Sequence, residues 1–235
     1  MDFAELNGRV ALGIVCSTDY IAWATEILKR GEDSESLAIL AGLDLDGDPD
    51  ASDVNRYFNR SLDELGLRLP TRERALLDYA RYLCREIVLG RIAPVDGLKR
   101  LDGLYPASGY TRLYSIWDGL SEDLSFLKEE GRCYFNSGLG SHNIESYLRG
   151  VAEQFLVLTS YALPDNFFDL SVCPRCGYIG LPGSAKVRDP HFEQRPFPRL
   201  HGPMQQVTAC ANCGAIHPLG MIDYKARQRY LDAEG

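Results

Sequence analysis

The chain has 235 residues, with 25 Lys and Arg against 33 Asp and Glu, a formal net charge of −8, and 45% hydrophobic residues. That balance belongs to a folded globular protein and excludes disordered and fibrous classes. No apolar run reaches the roughly 20 residues a membrane span requires. The stretch Val10 to Cys16 follows Asp2 and Glu5, not the basic start of a secretory signal, and no small residue precedes Cys16 as in a lipoprotein signal. A cytoplasmic location is therefore expected.

In chain order, the first 165 residues read as amphipathic helices. Thr18 or Asp19 can cap a helix with the stripe Tyr20, Trp23, Ala24, Ile27 and Leu28, ended by Gly31. Ser34 can cap a short one carrying Leu37, Leu40 and Ala41. Ser52 opens another with Val54, Phe58, Leu62 and Leu65, closed by Gly66. Pro70-Thr71 begins the longest, which buries Leu76, Ala80, Leu83, Cys84 and Ile87, and Pro94 fits a first helical position. Leu113, Trp117, Leu120, Leu124 and Leu127 form the next stripe. Ser141 can cap a last one with Ile144, Tyr147, Leu148, Val151, Phe155 and Leu158.

Composition changes near residue 170. Residues 1–169 hold 17 basic and 28 acidic side chains, a net of −11, and residues 170–235 hold 8 and 5, a net of +3. Four of the seven cysteines and seven of the twelve prolines fall in the basic part, and Leu163-Pro164-Asp165-Asn166 can serve as a connector. The expected fold class is α+β and multidomain: an acidic all-α domain over 1–165, then a small β zinc-ribbon domain over 170–235 that ends in a short helix.

The pattern Glu26-Ile27-Leu28, Gly31, Leu37, Leu40 is echoed by Glu86-Ile87-Val88, Gly90, Leu98, Leu101. Two readings stand: a repeated helix pair, or two pairs alike because both are amphipathic. Trp23-Ala24, Gly31-Glu32-Asp33-Ser34-Glu35-Ser36-Leu37, Leu40-Ala41-Gly42-Leu43, Glu86-Ile87, Gly90 and Pro94 to Gly97 resemble a widespread type of uncharacterised bacterial all-helical protein. The resemblance covers about the first 130 residues, implies a helical fold, and brings no activity or catalytic residue with it.

Cys173-Pro-Arg-Cys176-Gly177 and Cys210-Ala-Asn-Cys213-Gly214 are paired Cys-x-x-Cys-Gly turns. Two intervening residues let both sulfurs of a turn reach one ion, and the glycine permits the positive φ that brings backbone N–H groups to the sulfurs. Four soft ligands suit tetrahedral Zn²⁺ in a structural role, with no open position for a substrate water. The turns resemble the zinc knuckles of zinc-ribbon proteins, each at the tip of a hairpin, over about residues 170–222. The 33 residues between Cys176 and Cys210 exceed the usual spacing of about 15–20. Iron, a redox dithiol and disulfides are the competing readings. His217 either replaces one thiolate or packs nearby.

That long insertion carries Arg188, His191, Phe192, Arg195, Phe197 and Arg199 among prolines. Basic and aromatic groups in alternation can pair with phosphates and stack on bases. Lys225, Arg227 and Arg229 can extend the same surface along the terminal helix. The alternatives are another protein as partner, or docking of the basic ribbon on its own acidic helical body.

Catalytic patterns are weak. No Gly-x-Ser-x-Gly, His-Glu-x-x-His or P-loop occurs. Ser125 to Lys128 lacks companion motifs. Gly138-Leu139-Gly140 reads as a turn before a helix or as an anion cradle. Asp44, Asp46, Asp48 and Asp50 read as a solvated turn more readily than as a calcium loop. Cys16, Cys84 and Cys133 are expected as small buried hydrophobes, and Trp23 and Trp117 as core. The leading expectation is a zinc-binding, non-catalytic adaptor whose partner is another protein. A nucleic-acid-binding regulator is the first rival. The second is an enzyme that gathers His142, His191, His201 or His217 with acidic residues.

Overall fold

The computed structural model describes residues 1–43, 49–188 and 204–234. The architecture is α+β, predominantly helical, with small antiparallel strands near the C-terminus. Two compact units are found, Met1–Tyr114 and Ser115–Gly235. The compositional change near residue 170 lies inside the second unit, between its long helices and its strands.

The first unit contains α1 (Phe3–Leu12), α2 (Ser17–Lys29), α3 (Glu35–Gly42), α4 (Ala51–Glu64), α5 (Arg72–Val88), α6 (Pro94–Asp102) and the single turn α7 (Leu104–Ala107). The sequence pattern did not announce α1. Its signals are local: Asp2 accepts from the N–H of Ala4 at 2.9 Å, and Gly13 closes the helix at φ 71°. Two helix starts lie upstream of their expected caps. α2 begins after Cys16, with Asp19 one turn inside it; the Asp19 carboxylate reaches back to accept from the Cys16 N–H at 2.9 Å. α4 begins after Asp50, whose carboxylate accepts from the Ser52 N–H at 2.7 Å. Asp outcompetes Ser there because its charge also meets the positive helix terminus. Ser34 and Thr71 cap α3 and α5 as their positions implied, accepting from Leu37 and Arg74.

Leu6, Ile21, Trp23, Ala24, Leu37, Leu40, Val54, Phe58 and Leu62 form one buried cluster, with the Trp23 and Phe58 rings edge to face at 5.2 Å. Below it, α1 lies on α5 so closely that a Cβ on Gly8 would overlap the Tyr79 ring. Both halves of the echoed pattern are a helix, a left-handed glycine (Gly31 at φ 89°, Gly90 at φ 70°) and a second helix. A carboxylate–arginine pair sits at each turn, Glu26 with Arg30 and Glu86 with Arg91.

The second unit comprises α8 (Ser115–Glu130), α9 (Ile144–Leu158), a sheet in the order β2 (Ile179–Gly180), β1 (Ser171–Val172), β5 (Leu219–Gly220), the hairpin β3 (Gly183–Arg188) with β4 (Met204–Ala209), and α10 (Tyr224–Glu234). Trp117 packs against Phe155 with tilted rings 5.1 Å apart, and Phe167, just before β1, meets Tyr230 of α10 at 4.9 Å. Both tryptophans are fully buried core. α9 starts after Asn143, not Ser141. The Asn143 side chain accepts from the Gly140 N–H at 2.8 Å and donates to the Gly138 carbonyl at 2.9 Å. The Leu139 N–H goes to the Asn136 carbonyl, so two of the N–H groups of the glycine turn are spent within it.

Two buried carboxylates tie down the segment between α8 and α9. Asp123, fully buried, accepts from the N–H groups of Tyr134 (2.6 Å), Phe135 (3.1 Å) and Asn136 (2.7 Å) and from the Asn136 amide (3.0 Å). Asp223 accepts from the Ser137 N–H at 2.6 Å while its other oxygen caps α10 through Lys225 and Ala226. Among the described residues, no helix is long and apolar enough to cross a membrane.

Candidate metal centre

The two cysteine turns are built alike. In the first, between β1 and β2, the Cys173 N–H donates to the Tyr178 carbonyl and the Gly177 N–H to the Cys173 carbonyl, both at 2.9 Å. In the second, after β4, Cys210 donates to Ala215 at 2.8 Å and Gly214 to Cys210 at 2.9 Å. Gly177 and Gly214 have φ of 74° and 70°, so a side chain at either would strain the turn.

These turns face one another. The four Sγ atoms lie within 4.8 Å of each other, with Cys173 to Cys213 and Cys176 to Cys210 both at 3.7 Å. A disulfide requires about 2.05 Å, so neither pair is one. Four sulfurs about 2.3 Å from a common centre stand about 3.8 Å apart at the edges of a tetrahedron, and the Cys173–Cys213 and Cys176–Cys210 separations match that edge. Cys173 and Cys210 are buried, Cys213 is half-buried and Cys176 exposed, which places the cluster at the surface rather than in a core.

Local electrostatics favour the thiolate at Cys173 and Cys176. The Tyr178 N–H leads the groups that bring the Cys176 thiol down to about 6, with help from Cys213 and the Asn212 amide. Backbone donors from Cys176 and Arg175 likewise lower Cys173. Cys213 moves the other way, to about 11: the Ala215 N–H favours its thiolate, but Cys176, partial burial and the remaining cysteines outweigh that donor. Four adjacent negative sulfurs repel, and a divalent cation removes that repulsion. The donor set therefore fits a soft, tetrahedral metal ion, and all four cysteines singled out in the sequence meet in this cluster.

The remaining site candidates fare differently. His217 is exposed, holds φ 57° and donates its N–H to the Thr208 carbonyl; the cluster consists of cysteines alone. His142 is exposed beside Gly140, and among the described residues neither histidine joins a group that could hold a metal. Arg188 ends strand β3. His191, Phe192, Arg195, Phe197, Arg199 and His201 lie outside the described residues, as do Asp44, Asp46 and Asp48. Arg227 does not extend a basic surface. It is 1% exposed, donating from Nε to Gln154 Oε1 at 2.6 Å and from Nη1 to the carbonyls of Met221 and Ile222. Lys225 and Arg229 of the same helix are exposed. Cys84 is buried as expected, whereas Cys16 is exposed at the start of α2, where its thiol donates to Asp19 at 3.3 Å.

Sequence pattern did not reveal the buried groups Asp123, Gln154, Asp223 and Arg227. A faint signal existed for two of them, since each interrupts an apolar stripe of its helix: Asp123 between Leu120 and Leu124, and Gln154 between Val151 and Phe155. Comparisons with family models, with curated proteins and with solved structures find no match for the chain.

Proposed function

We propose that the four cysteines hold a structural zinc ion in a zinc-ribbon arrangement, and that the protein acts as a non-catalytic adaptor, binding another protein through its helical body and the segment between the knuckles. The observation that carries this reading is the closed set of four sulfurs within 4.8 Å of one another. Cys173, Cys176, Cys210 and Cys213 would fill the coordination sphere, so the ion supplies cross-linking in place of a core and no substrate-accessible Lewis acid. The second cysteine turn sits at the base of the β3–β4 hairpin, so the ion would fix the direction in which that hairpin leaves the domain. Residues 189–203, with most of the basic and aromatic candidates, connect the two strands.

A protein partner is favoured over nucleic acid by charge. The chain is net acidic at −8, and burial removes Arg227 from the cations a polyanion could meet. The test is native mass spectrometry of the protein purified gently, without chelator, from the cells that make it. A mass increment of one zinc with a co-purifying protein that is released when zinc is stripped supports the proposal. A metal-free chain, a bound iron, or a co-purifying oligonucleotide lost in the triple variant Arg188→Ala, Arg195→Ala, Arg199→Ala overturns it.

A further inference from the structure

The first unit contains a cavity of about 420 Å³ between the start of α5 and the loop that follows α7, and every residue lining it belongs to that unit. Its size falls in the range of small-molecule sites, about 300–1,000 Å³. The walls are mainly apolar, from Leu76, Leu77, Ala107 and Leu113, with Tyr114 behind them.

Three polar features give it a chemistry. Tyr114 is 4% exposed, and its hydroxyl has no hydrogen-bond partner among the described residues although the residue lines the cavity. Burial, and after it the nearby Asp78 carboxylate, push that phenol up to about 12, so it remains an O–H donor at neutral pH. Asp78 itself is held by Arg74 at 2.8 Å. At the rim, Arg72 and Glu73 are exposed, line the cavity, and make no ion pair among the described residues. Ser108 and Thr111, by contrast, spend their hydroxyls on the loop, Ser108 donating to the Tyr105 carbonyl and Thr111 to the Ser108 carbonyl.

We propose that this cavity binds a small zwitterion with an apolar body, the chemistry of a free hydrophobic α-amino acid. The apolar body fills the space between Leu76 and Leu113. The carboxylate pairs with Arg72, the ammonium with Glu73, and the Tyr114 hydroxyl donates to an acceptor on the ligand. A simple carboxylic acid would face Glu73 without compensation, and a simple amine would face Arg72; a zwitterion satisfies both.

L-phenylalanine is the probe, titrated into the full-length protein by calorimetry, with 3-phenylpropionate and 2-phenylethylamine as analogues lacking one charge each. Saturable binding of one phenylalanine per chain is expected in the millimolar range or tighter. Each analogue should bind about fivefold more weakly, because rim charges are solvent-screened. Ala107→Trp should fill the cavity and abolish binding, and Arg72→Gln should erase the preference for phenylalanine over 2-phenylethylamine. If Ala107→Trp fails to fold, Arg72→Gln alone decides, since it changes an exposed side chain. Absence of saturable binding up to about 10 mM overturns the proposal. So does binding that neither variant alters, or affinity equal for all three probes.

Discussion

Arg227 and Gln154 interlock inside the second unit: Arg227 Nε donates to Gln154 Oε1 at 2.6 Å, while Gln154 Nε2 donates to the Tyr224 carbonyl at 3.1 Å. The guanidinium is buried, and burial lowers it to about 10, opposed by Tyr147 and Asp223. Gln154→Leu removes an acceptor from a buried cation and should cost about 3–5 kcal/mol. Adding Arg227→Met should recover part of that loss, because two apolar side chains leave no unpaired charge. Thermal melts of both single variants and the double variant check this coupling, and additive losses would refute it.

Asp123 offers a second test. Its carboxylate takes three consecutive backbone N–H groups and one side-chain amide. Asp123→Asn is nearly isosteric but turns an NH₂ group toward those donors, at a cost of about 2–4 kcal/mol. The amides of Tyr134, Phe135 and Asn136 should then lose hydrogen-exchange protection ahead of those in α9. Unchanged protection would show that the segment is held by other contacts.

The proposed zinc site divides the cysteines by role. Cys210→Ser is expected to bring bound zinc below one per chain and lower the melting temperature. Cys84→Ala changes a fully buried cysteine outside the cluster, costs about 1 kcal/mol, and should leave zinc at one per chain. Elemental analysis of the two purified variants reads the difference directly.

At alkaline pH, five partly or largely buried tyrosines dominate. Burial is the leading cause of the upward shifts of Tyr20, Tyr79, Tyr82, Tyr114 and Tyr147. A folded value above the unfolded one means that the stability is complete below the unfolded pKa of about 10 and is lost as pH rises through the folded values. The window starts near 10, and the Tyr114 step ends near 12. Arg227, lowered to about 10, acts in the opposite sense, because the folded chain releases that proton first. One guanidinium stands against five phenols, so unfolding should accompany phenolate formation above pH 10. Phenolate absorbance rising before any loss of circular dichroism would contradict this.

Close packing gives the last test. Gly8→Ala places a methyl against the Tyr79 ring, where helix backbone on one side and a buried ring on the other leave little room to yield. The expected loss is about 1–3 kcal/mol. Denaturant titration of Gly8→Ala against the parent chain reads this loss directly, and unchanged stability would show that α1 and α5 move apart without cost.

Features whose physics is local were legible in the residues alone. Helix stripes such as Trp23–Ile27 or Val151–Phe155 follow from a period of 3.6 residues, and caps such as Ser34 and Thr71 act within one turn. The cysteine turns close within five residues, so their spacing alone named all four members of the cluster. The tertiary structure decided whatever depends on which surfaces meet. Arg227 reads as one more cation on a polar helix until α9 brings Gln154 against it, and Asp123 reads as surface until the segment after α8 folds back over it. Gly8 announces nothing until α5 lies beneath it. The cavity beside Tyr114 belongs to no single segment, since it is the space left where α5 and the loop after α7 fail to touch. Such properties arise between residues distant in the chain, and the pattern of either partner alone does not contain them.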